Sequence, residues 1–373
     1  MGEPLAEAAS LARDPAAATA SWRAEGGRVV GVVGTDVPLE LLDAAGIRAV
    51  PIVGNPRGST ELADRWCEPQ LDVLARSRLQ RILDGSYGFV QRLLVCHDSE
   101  ASLRVFYYLR EIARLEPVLA LPPLRFFDFV HLPHRTSTIW NRRRVEELRV
   151  WLGEWIGRTV DDDELHDAIV ARNECRRLLA EIDTRRRGLR ITGTELVRLV
   201  AAQQVLAPAD RVALLEHVLA EEPVERQGAR LFLSGSSHDT ADVYELLESR
   251  GAVVVGEDHD GGARAFDGEV AEDAEPLDAL VAHYQLGPSA VSKSSIEERT
   301  AYTVARARAA GADAAVIWLR RGDEGPAWDA PHQRAALTDA GIPTLVLDRQ
   351  PYGAIDEPDL ERLERLLASG VAA

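Results

Sequence analysis

The stretch RVVGVVGTDVPLELLDAAGIRAVPIV, residues 28–53, has the pattern of one strand–helix–strand unit. Residues 29–33 are an apolar run of the kind that forms a buried strand. Pro38 begins a short helix that Gly46 ends, and residues 48–53 predict a second strand. Two strands joined through a helix by short connections are typical of a parallel sheet. The stretch therefore predicts an α/β fold.

The same alternation of strand and helix continues beyond this unit. Residues 92–95 are an apolar run before Cys96, followed by a helical pattern at 103–115 and another apolar run at 118–121. A second alternating region begins at Arg230. It predicts strands at residues 231–233, 252–255, 314–319 and 344–347, and a helix from Pro331 to Ala340. We expect two similar domains, each a Rossmann-like or flavodoxin-like parallel sheet with helices on both faces.

A helical segment separates the two α/β regions, because apolar residues between them recur at helical spacing. It predicts about four helices, with N-terminal caps near residues 159–164 and 192–195. The N-terminal residues have neither a basic start nor a continuous apolar core, so they predict a flexible arm rather than a signal peptide. The expected parts are the arm at 1–27, an α/β domain at 28–140, the helical segment at 141–226 and an α/β domain at 227–373.

The composition argues against several classes of partner. The 373 residues carry a formal net charge of −17, which disfavours nucleic acid because such binding depends on basic contacts with phosphates. No apolar run approaches the roughly 18 residues that a membrane span needs. The three cysteines and the lack of an export signal indicate a reducing compartment, so we expect a cytoplasmic protein.

Two of the cysteines lie where a ligand could bind. Cys96 follows the predicted strand at residues 92–95, and the carboxyl ends of parallel strands form the ligand-binding edge of open α/β sheets. Cys67 is predicted to begin a helix, whose dipole favours a thiolate. Free cysteine is also among the most buried residue types. Each thiol is therefore either a metal ligand or a small buried hydrophobic side chain.

Common cofactor motifs are missing from the sequence. Residues 31–34, Gly-Val-Val-Gly, lack the G-x-G-x-x-G spacing of a dinucleotide site, and no P-loop Gly-Lys-Ser/Thr occurs. The histidines lack metal-ligand spacing such as H-E-x-x-H. We therefore expect no bound NAD, no bound ATP and no zinc site.

Seven segments, in order, resemble the family of 2-hydroxyacyl-CoA dehydratases and related ATP-dependent benzoyl-CoA reductase subunits. The resemblance covers nearly the whole chain from residue 29 onward. GVVGTDVPLELLDAAG at residues 31–46 is similar to the family's first strand and turn, and IVARNECRRLL at 169–179 to its I-x-x-x-N-x-x-R-x-L-L signature. The other five segments are residues 48–52, the surroundings of Cys67, the surroundings of Cys96, residues 251–264 and residues 341–348.

The resemblance implies a two-subunit enzyme, either a heterodimer or a homodimer, that acts on an acyl-CoA substrate. In this family each subunit holds a [4Fe-4S] cluster on three cysteines. One electron from an ATP-driven activator protein reduces the thioester carbonyl to a ketyl radical, which permits loss of the 2-hydroxyl group or reduction of an aromatic ring. Thiolates are the natural ligands of such iron. The resemblance assigns Cys67 and Cys96 as cluster ligands.

The third cluster ligand of the family has no counterpart in this sequence. The loop at residues 320–326 corresponds to the family's third ligand segment, and Gly322 occupies the position of the cysteine. Cys175 lies elsewhere, on the helical signature. The cluster is therefore incomplete or absent unless Asp323, His97 or a partner chain supplies a ligand. Two functions follow: an iron-sulfur dehydratase subunit, or a cluster-poor structural or substrate-binding partner of such a subunit.

Five residues at predicted turns are candidates for the chemistry. Thr35 and Glu257 are the catalytic candidates, since a hydroxyl could reach a substrate carbonyl and a carboxylate could act as a base. Ser236, Asp258 and Arg264 are the substrate-binding candidates, with Arg264 suited to a CoA phosphate. The alternatives are a helix N-cap or plain turn for Thr35 and solvated turn acids for Glu257 and Asp258.

These assignments make geometric predictions. The sulfurs of Cys67 and Cys96 should lie within about 10 Å of each other, because they would share one small cluster. The loop at residues 320–326 should face them across a cleft between the domains. A pocket there should be lined by Thr35, Ser236 and Glu257. Replacing Gly322 by Cys should then supply the missing ligand.

Overall fold

The unit at residues 28–53 forms the centre of the first sheet in the computed structural model, which describes residues 2–287 and 294–370. The four strands are β1 Arg28–Val33, β2 Ile47–Pro51, β3 Arg92–Cys96 and β4 Leu124–Phe127. They are all parallel, in the order β2-β1-β3-β4, with Val30 opposite Ala49 and Arg92. The carboxyl ends of all four strands therefore lie at one edge.

The second sheet repeats this arrangement. Its strands are β5 Ala229–Gly235, β6 Ala252–Glu257, β7 Ala314–Arg320 and β8 Thr344–Gln350. They are parallel in the order β6-β5-β7-β8, which is the same order as in the first sheet. The predicted fold class, two similar parallel-sheet domains joined by a helical segment, is confirmed.

Helices cover both sheets. Around the first sheet lie α4 Leu39–Ala44, α5 Val73–Leu83 and α6 Glu100–Leu115. Around the second lie α11 Asp242–Ser249, α13 Ile296–Ala309, α14 Glu324–Asp339 and α15 Glu357–Gly370. Helix α12 Pro276–Leu286 follows the second sheet's β6 in the chain but packs in a core of the first sheet, against α7 and α8. In residues 2–287 and 294–370, none of the helices combines the length and apolar character needed to cross a bilayer.

The helical segment consists of α7 Arg135–Ile156, α8 Asp162–Arg187, α9 Gly193–Val205 and α10 Pro208–Ala220. Asp161 and Glu164 form a capping box at the start of α8, and Thr192 and Glu195 form one at the start of α9. These caps satisfy backbone N–H groups that would otherwise lack partners. The sequence therefore located both helix starts correctly.

The N-terminal residues are ordered helices, not the loose arm that the sequence predicted. They form α1 Glu3–Arg13, α2 Pro15–Ala18 and α3 Ala20–Ala24. Leu5 and Ala8 of α1 are buried in a cluster with apolar residues of α8, α9 and α10. Burial of this apolar stripe against the helical segment provides the driving force that the composition did not reveal.

Three local predictions differ from the structure. Residues 118–121 do not form a strand; the fourth strand begins at Leu124, after Pro122 and Pro123, and Val118 is exposed. The helix after Cys67 begins only at Val73, with Asp72 as its N-cap. Helix α14 begins at Glu324 and runs through Pro331, at which the sequence placed its start. Proline removes one hydrogen bond from a helix interior without always ending the helix.

The two faces of the first sheet bury separate apolar cores. Along β3, Leu94 and Cys96 pack in one core with α4, α7 and α8, whereas Leu93 and Val95 pack in the other with α5 and α6. Side chains alternate between the faces of a strand, so neighbouring residues belong to different cores. This alternation directs the side chain of Cys96, the last residue of β3, into the first of these cores.

Candidate functional site

The carboxyl edges of the two sheets face each other across a cleft between the domains. The cleft contains a cavity of about 420 Å³. Its walls come from the loops after β1, β3, β5, β6 and β7 and from the starts of α5, α6 and α14. The lining residues include Thr35, Asp72, Arg78, Asp98, Ser237, Asp260, Arg320, Gly322, Asp323 and Trp328. We call this space the cleft cavity.

Two ion pairs hold the domains together beside the cleft cavity. Arg320 donates from Nε and Nη2 to the two carboxylate oxygens of Asp72, at 2.7 Å each, and both side chains are buried. Arg78 donates to Asp239 at 3.2 Å, and Asp239 also accepts from the Tyr352 hydroxyl at 2.8 Å. Such bidentate and shared contacts fix orientation as well as charge. The cleft geometry therefore depends on residues from both domains.

A carboxyl group suited to proton transfer lies in the loop after β7. Asp323 lines the cleft cavity and accepts from Arg320 at 3.1 Å. Burial raises the pKa of Asp323, and the nearby Asp72 carboxylate adds to this, although Arg320 opposes it. A carboxyl with a raised pKa can exchange a proton near neutral pH.

Thr35 is the one catalytic candidate that reaches the cleft cavity. It follows β1, is exposed, and lines the cavity. Its backbone N–H donates to Asp98 Oδ2 at 2.9 Å, and its hydroxyl lies 3.5 Å from the same oxygen. It is not the N-cap of α4, which is Pro38. The loops after β1 and β3 thus place a hydroxyl and a carboxylate together at the sheet edge.

Ser236 and Glu257, predicted to line the same pocket, are buried behind it. The Ser236 hydroxyl accepts from the backbone N–H of Arg320 at 2.9 Å, and the neighbouring Ser237 lines the cavity instead. Glu257 lies at the end of β6 and forms a buried ion pair with Arg186 of α8. Both groups already have partners within the protein. The pocket prediction is therefore correct for Thr35 and wrong for Ser236 and Glu257.

Asp258 is buried on the second sheet rather than in the cleft. It accepts hydrogen bonds from the Ser234 hydroxyl at 2.9 Å and the Thr303 hydroxyl at 2.5 Å. Burial raises the pKa of Asp258 to about 6. The alternative of a solvated turn acid is therefore wrong for both Asp258 and Glu257.

Arg264 contacts acids of both domains. Its guanidinium donates to Asp36 at 3.0 Å and to Asp260 at 2.8 Å. Asp36 is buried and also contacts His131 at 2.8 Å. Two carboxylates thus surround the cation, which leaves it poorly placed to receive a CoA phosphate.

Cys67 and Cys96 lie on opposite faces of the first sheet. Cys96 belongs to the core shared with α4, α7 and α8, and its sulfur accepts from the Asp36 N–H at 3.3 Å. Cys67 belongs to the core shared with α5 and α6, and its thiol donates to the Ala63 carbonyl at 3.0 Å. Cys96 is 0% exposed and Cys67 is 8% exposed, and neither residue lines the cleft cavity. The two thiols therefore pack in different apolar cores, and the convergence of their sulfurs within about 10 Å stays a prediction.

The electrostatics of Cys67 also differ from the prediction. Because α5 begins at Val73, the thiol is not in the first turn of a helix. Burial raises the pKa of Cys67 and the carboxylates of Asp64 and Glu68 add to this, whereas Arg76 and a backbone hydrogen bond oppose it. A raised pKa disfavours the thiolate that ligates metal.

Gly322 lies in the cleft, as predicted, but its backbone does not suit a cysteine. Its φ is +86°, a conformation that residues with a Cβ rarely adopt. A Cβ at this position would lie 2.9 Å from Asp72 Cα and 3.0 Å from Gln70 O. The loop therefore packs its backbone directly against the chain that precedes α5.

These residues do not fit a cluster held by Cys67, Cys96 and a third ligand. Within the part of the chain that the structure describes, no group of three or more His, Cys, Asp or Glu side chains could hold a metal ion. Asp323 and His97, the suggested substitutes, are engaged with Arg320 and with Asp128 respectively.

Sequence reasoning missed several cleft residues. The sequence contains one signal for each of two of them. Asp72 is an acidic residue just before a helical pattern, and Arg320 is an arginine at the end of a predicted buried strand. Trp328 of α14 lines the cleft cavity and is 75% exposed, which is unusual for so large an aromatic side chain. Nothing in the sequence distinguished this tryptophan from a core residue.

The fold and the cleft define a class: a two-domain α/β protein in which the carboxyl edges of two parallel sheets face one cleft, the position where open α/β sheets usually bind ligands. Residues 35–366 match the family described as 2-hydroxyglutaryl-CoA dehydratase, D-component, and the chain belongs to that family. It is similar to the (R)-phenyllactyl-CoA dehydratase beta subunit of Clostridium sporogenes, with 21% identity over 335 residues. That match covers 87% of this chain and 86% of the relative. The family expected from the seven segments is confirmed.

The structure gives the family signature at residues 169–179 a physical role. Asn173 exchanges hydrogen bonds with the backbone of Val270, at 2.8 and 3.0 Å, and accepts from Arg176 at 2.9 Å. Arg176 forms a buried ion pair with Glu40 of α4. The signature thus fastens α8 to both α/β domains.

Proposed function

We propose that the chain is the cluster-poor component of a 2-hydroxyacyl-CoA dehydratase-type enzyme. One observation carries this choice over a subunit with its own cluster: Cys67 and Cys96 lie on opposite faces of the first sheet. Gly322, at the third position, has no room for a Cβ. Family membership supports a role in the dehydratase, while the thiol positions argue against a resident cluster on these residues.

The proposal assigns the cleft cavity to the acyl-thioester end of the substrate. Its volume of about 420 Å³ lies within the range of small-molecule sites, roughly 300–1,000 Å³. The walls combine apolar side chains such as Leu71 and Leu74 with the polar groups of Thr35, Asp98 and Asp323. The Thr35 hydroxyl would orient the thioester carbonyl, and Asp323 would hold or accept a proton.

The proposal requires a sister subunit in a heterodimer. That subunit would carry the iron-sulfur cluster and receive electrons from the ATP-driven activator, while this chain contributes binding and positioning groups. The description of the family as one component of a dehydratase, and the relative's description as a beta subunit, support an assembly of more than one kind of chain.

Iron and sulfide analysis after anaerobic reconstitution tests the proposal. We expect the isolated chain to hold far less than four irons per chain and to show no charge-transfer absorbance, because no third soft ligand is available. The Gly322→Cys variant should not increase the iron content, since its Cβ would clash with the backbone at Asp72. The matched Cys67→Ser and Cys96→Ser variants should leave iron content unchanged.

Full four-iron occupancy that is lost in either serine variant would overturn the proposal and favour a subunit with its own cluster. A rise in iron content in Gly322→Cys would show that the loop can move away from Asp72. It would also restore the role that the resemblance gives to this position.

A further inference from the structure

The outer edge of strand β4 in the first sheet is open. β4 pairs only with β3, and the Phe127 carbonyl accepts from the His97 N–H of that side at 3.0 Å. Backbone groups alternate in direction along a strand, so the N–H and C=O groups of Leu124 and Phe126 point away from β3. In residues 2–287 and 294–370, these four groups have no hydrogen-bond partner. The edge therefore offers a template on which another strand can pair.

The other edge strands are protected against such pairing. Helix α9 packs against both β2 and β6. At β8, Arg362 donates to the outward carbonyl of Val346 at 3.3 Å, and the exposed Asp348 and Arg349 follow on the same strand. Arg349 has a φ of +56°, and the pairing register shifts beside it. Covering helices, charged residues and register breaks are the means by which proteins prevent edge-to-edge pairing, and none of them covers the outward groups of β4.

Helices on both faces of the sheet extend the open edge with aromatic side chains. Helix α6 contacts β4 through the Phe106 and Phe126 rings, whose centroids are 4.7 Å apart. Arg110 of the same helix lies over the Tyr107 ring at 5.1 Å. On the other face, α7 carries Trp140, and both Tyr107 and Trp140 are 46% exposed. Exposed aromatic side chains beside arginine are typical of protein–protein interfaces, so this area can add to what a four-residue strand provides.

The charges beside β4 allow the surface to complement itself. On α7, Arg144 and Glu147 lie one turn apart and pair at 2.6 Å, and Glu147 is also 4.0 Å from Arg125 of β4. On α6, Glu111 pairs with Arg114 in the same way. A twofold axis through the centre of β4 reverses the direction of α7, which brings Arg144 of one copy toward Glu147 of the other. A contact between identical surfaces requires both signs of charge on one surface, and this surface has them.

We propose that β4 pairs antiparallel with β4 of a second copy of this chain, so that the two first sheets form one continuous sheet. A second copy is favoured over a strongly acidic or basic partner because the surface carries both charges and supplies the same strand edge on each side. The proposal is independent of the proposed function. No residue of β4 or α7 lines the cleft cavity, so the dimer leaves the cleft open to a sister subunit.

Analytical ultracentrifugation of the full chain over a series of concentrations tests the proposal. We expect an equilibrium between monomer and dimer. Trp140→Glu places a carboxylate beside the paired strands and should raise the dissociation constant of the dimer about tenfold or more, the size expected when an aromatic anchor is lost. Val224→Glu is the matched control, because Val224 is 60% exposed but lies between α10 and β5; this variant should dimerise as the original chain does.

A charge exchange on α7 tests the twofold arrangement. Arg144→Glu brings like charges together across the axis and should raise the dissociation constant. Adding Glu147→Arg to that variant restores opposite charges in reversed positions, and the dissociation constant should return toward the value of the original chain. Both side chains are partly exposed, so the fold should persist in both variants. A double variant that dimerises as weakly as Arg144→Glu alone would show that the twofold arrangement is wrong.

Hydrogen exchange of the backbone amides tests the strand pairing itself. The amides of Leu124 and Phe126 should exchange slowly at concentrations that favour the dimer and faster after dilution, whereas the Val346 amide at the edge of the second sheet should not change. A dimer without this protection would refute strand pairing. A chain that stays monomeric at every concentration, or equal weakening by Trp140→Glu and Val224→Glu, would overturn the proposal, and the monomer would point to a different chain as the occupant of this edge. None of these results alters the iron analysis that tests the proposed function.

Discussion

The two sheets share one strand order but use their carboxyl edges differently. At the first edge, Thr35 is exposed to the cleft cavity. At the second, Ser237 and Asp323 also line the cavity, whereas Ser236, Glu257 and Asp258 turn inward and bond to groups of the protein itself. Topology therefore locates a possible site, whereas the loops decide whether the polar groups at the edge are available to a ligand.

The buried edge of the second sheet holds two adjacent groups of polar contacts, which we call its polar network. Arg186 pairs with Glu257 and Asp183, while Tyr244 bonds to His259 at 2.7 Å. Low dielectric strengthens such a network when every member is paired and makes it costly when one is lost. The comparison thus predicts that changes at the inward-facing groups of the second edge affect stability, and that a change at Thr35 of the first edge affects binding.

The largest effect is expected from Arg186→Met. This variant leaves two buried carboxylates, Asp183 and Glu257, without their shared cation, and breaking a buried pair costs about 3–5 kcal/mol. Arg187→Met is the matched control, because Arg187 also contacts Asp183 but is partly exposed; it should cost about 1 kcal/mol or less. Urea unfolding followed by circular dichroism measures both. Equal costs would show that the network is not the structural element we describe.

A loss of stability of intermediate size is expected when the pH is lowered, because of His259 at the same edge. Burial lowers the pKa of His259 to about 4 from an ordinary 6.5. Between pH 6.5 and 4, the unfolded chain therefore binds a proton at this histidine that the folded chain does not bind. This contribution to stability is complete above about pH 6.5 and is lost as the pH falls toward 4. It corresponds to about 3 kcal/mol.

The His259→Gln variant isolates that contribution. Asp258, whose raised pKa has the opposite effect on the pH dependence, is present in both proteins, and its effect cancels in the difference. We expect the variant to be less stable than the original chain at pH 7 and to lose this disadvantage as the pH falls to 4. Parallel stability curves for the two proteins would contradict the pKa assignment.

The smallest change in stability is expected at the first edge. Thr35→Val removes an exposed hydroxyl and should change unfolding free energy by about 0.5 kcal/mol or less, while weakening acyl-CoA binding several-fold if the cleft cavity is the substrate site. Ser236→Ala should instead lower the unfolding free energy by about 1–3 kcal/mol, because it leaves the buried N–H of Arg320 unpaired, and it should leave acyl-CoA binding unchanged. Calorimetric titration and urea unfolding of both variants test the contrast. If both variants change binding and stability by the same amounts, the proposed contrast between the two edges is wrong.

The sequence by itself determined the fold class, most strands and the family. Apolar runs such as residues 92–95 and the caps at Asp161 and Thr192 are local signals, because a strand or helix start depends mainly on nearby residues. The seven ordered segments identified the family for the same reason: each is short and continuous. The sequence also placed Thr35 and Gly322 correctly at the cleft.

Only the tertiary structure decided which polar groups are free and which are paired. Cys67 and Cys96 lie 29 residues apart, yet the alternation of side chains along β3 and the side on which residue 67 packs put them in different apolar cores. Arg320 and Asp72 are 248 residues apart, and Arg172 and Asp43 are 129 apart. Contacts over such separations depend on how whole domains pack. The burial and pairing of each charged group, and the pKa shifts they cause, arise only from that packing.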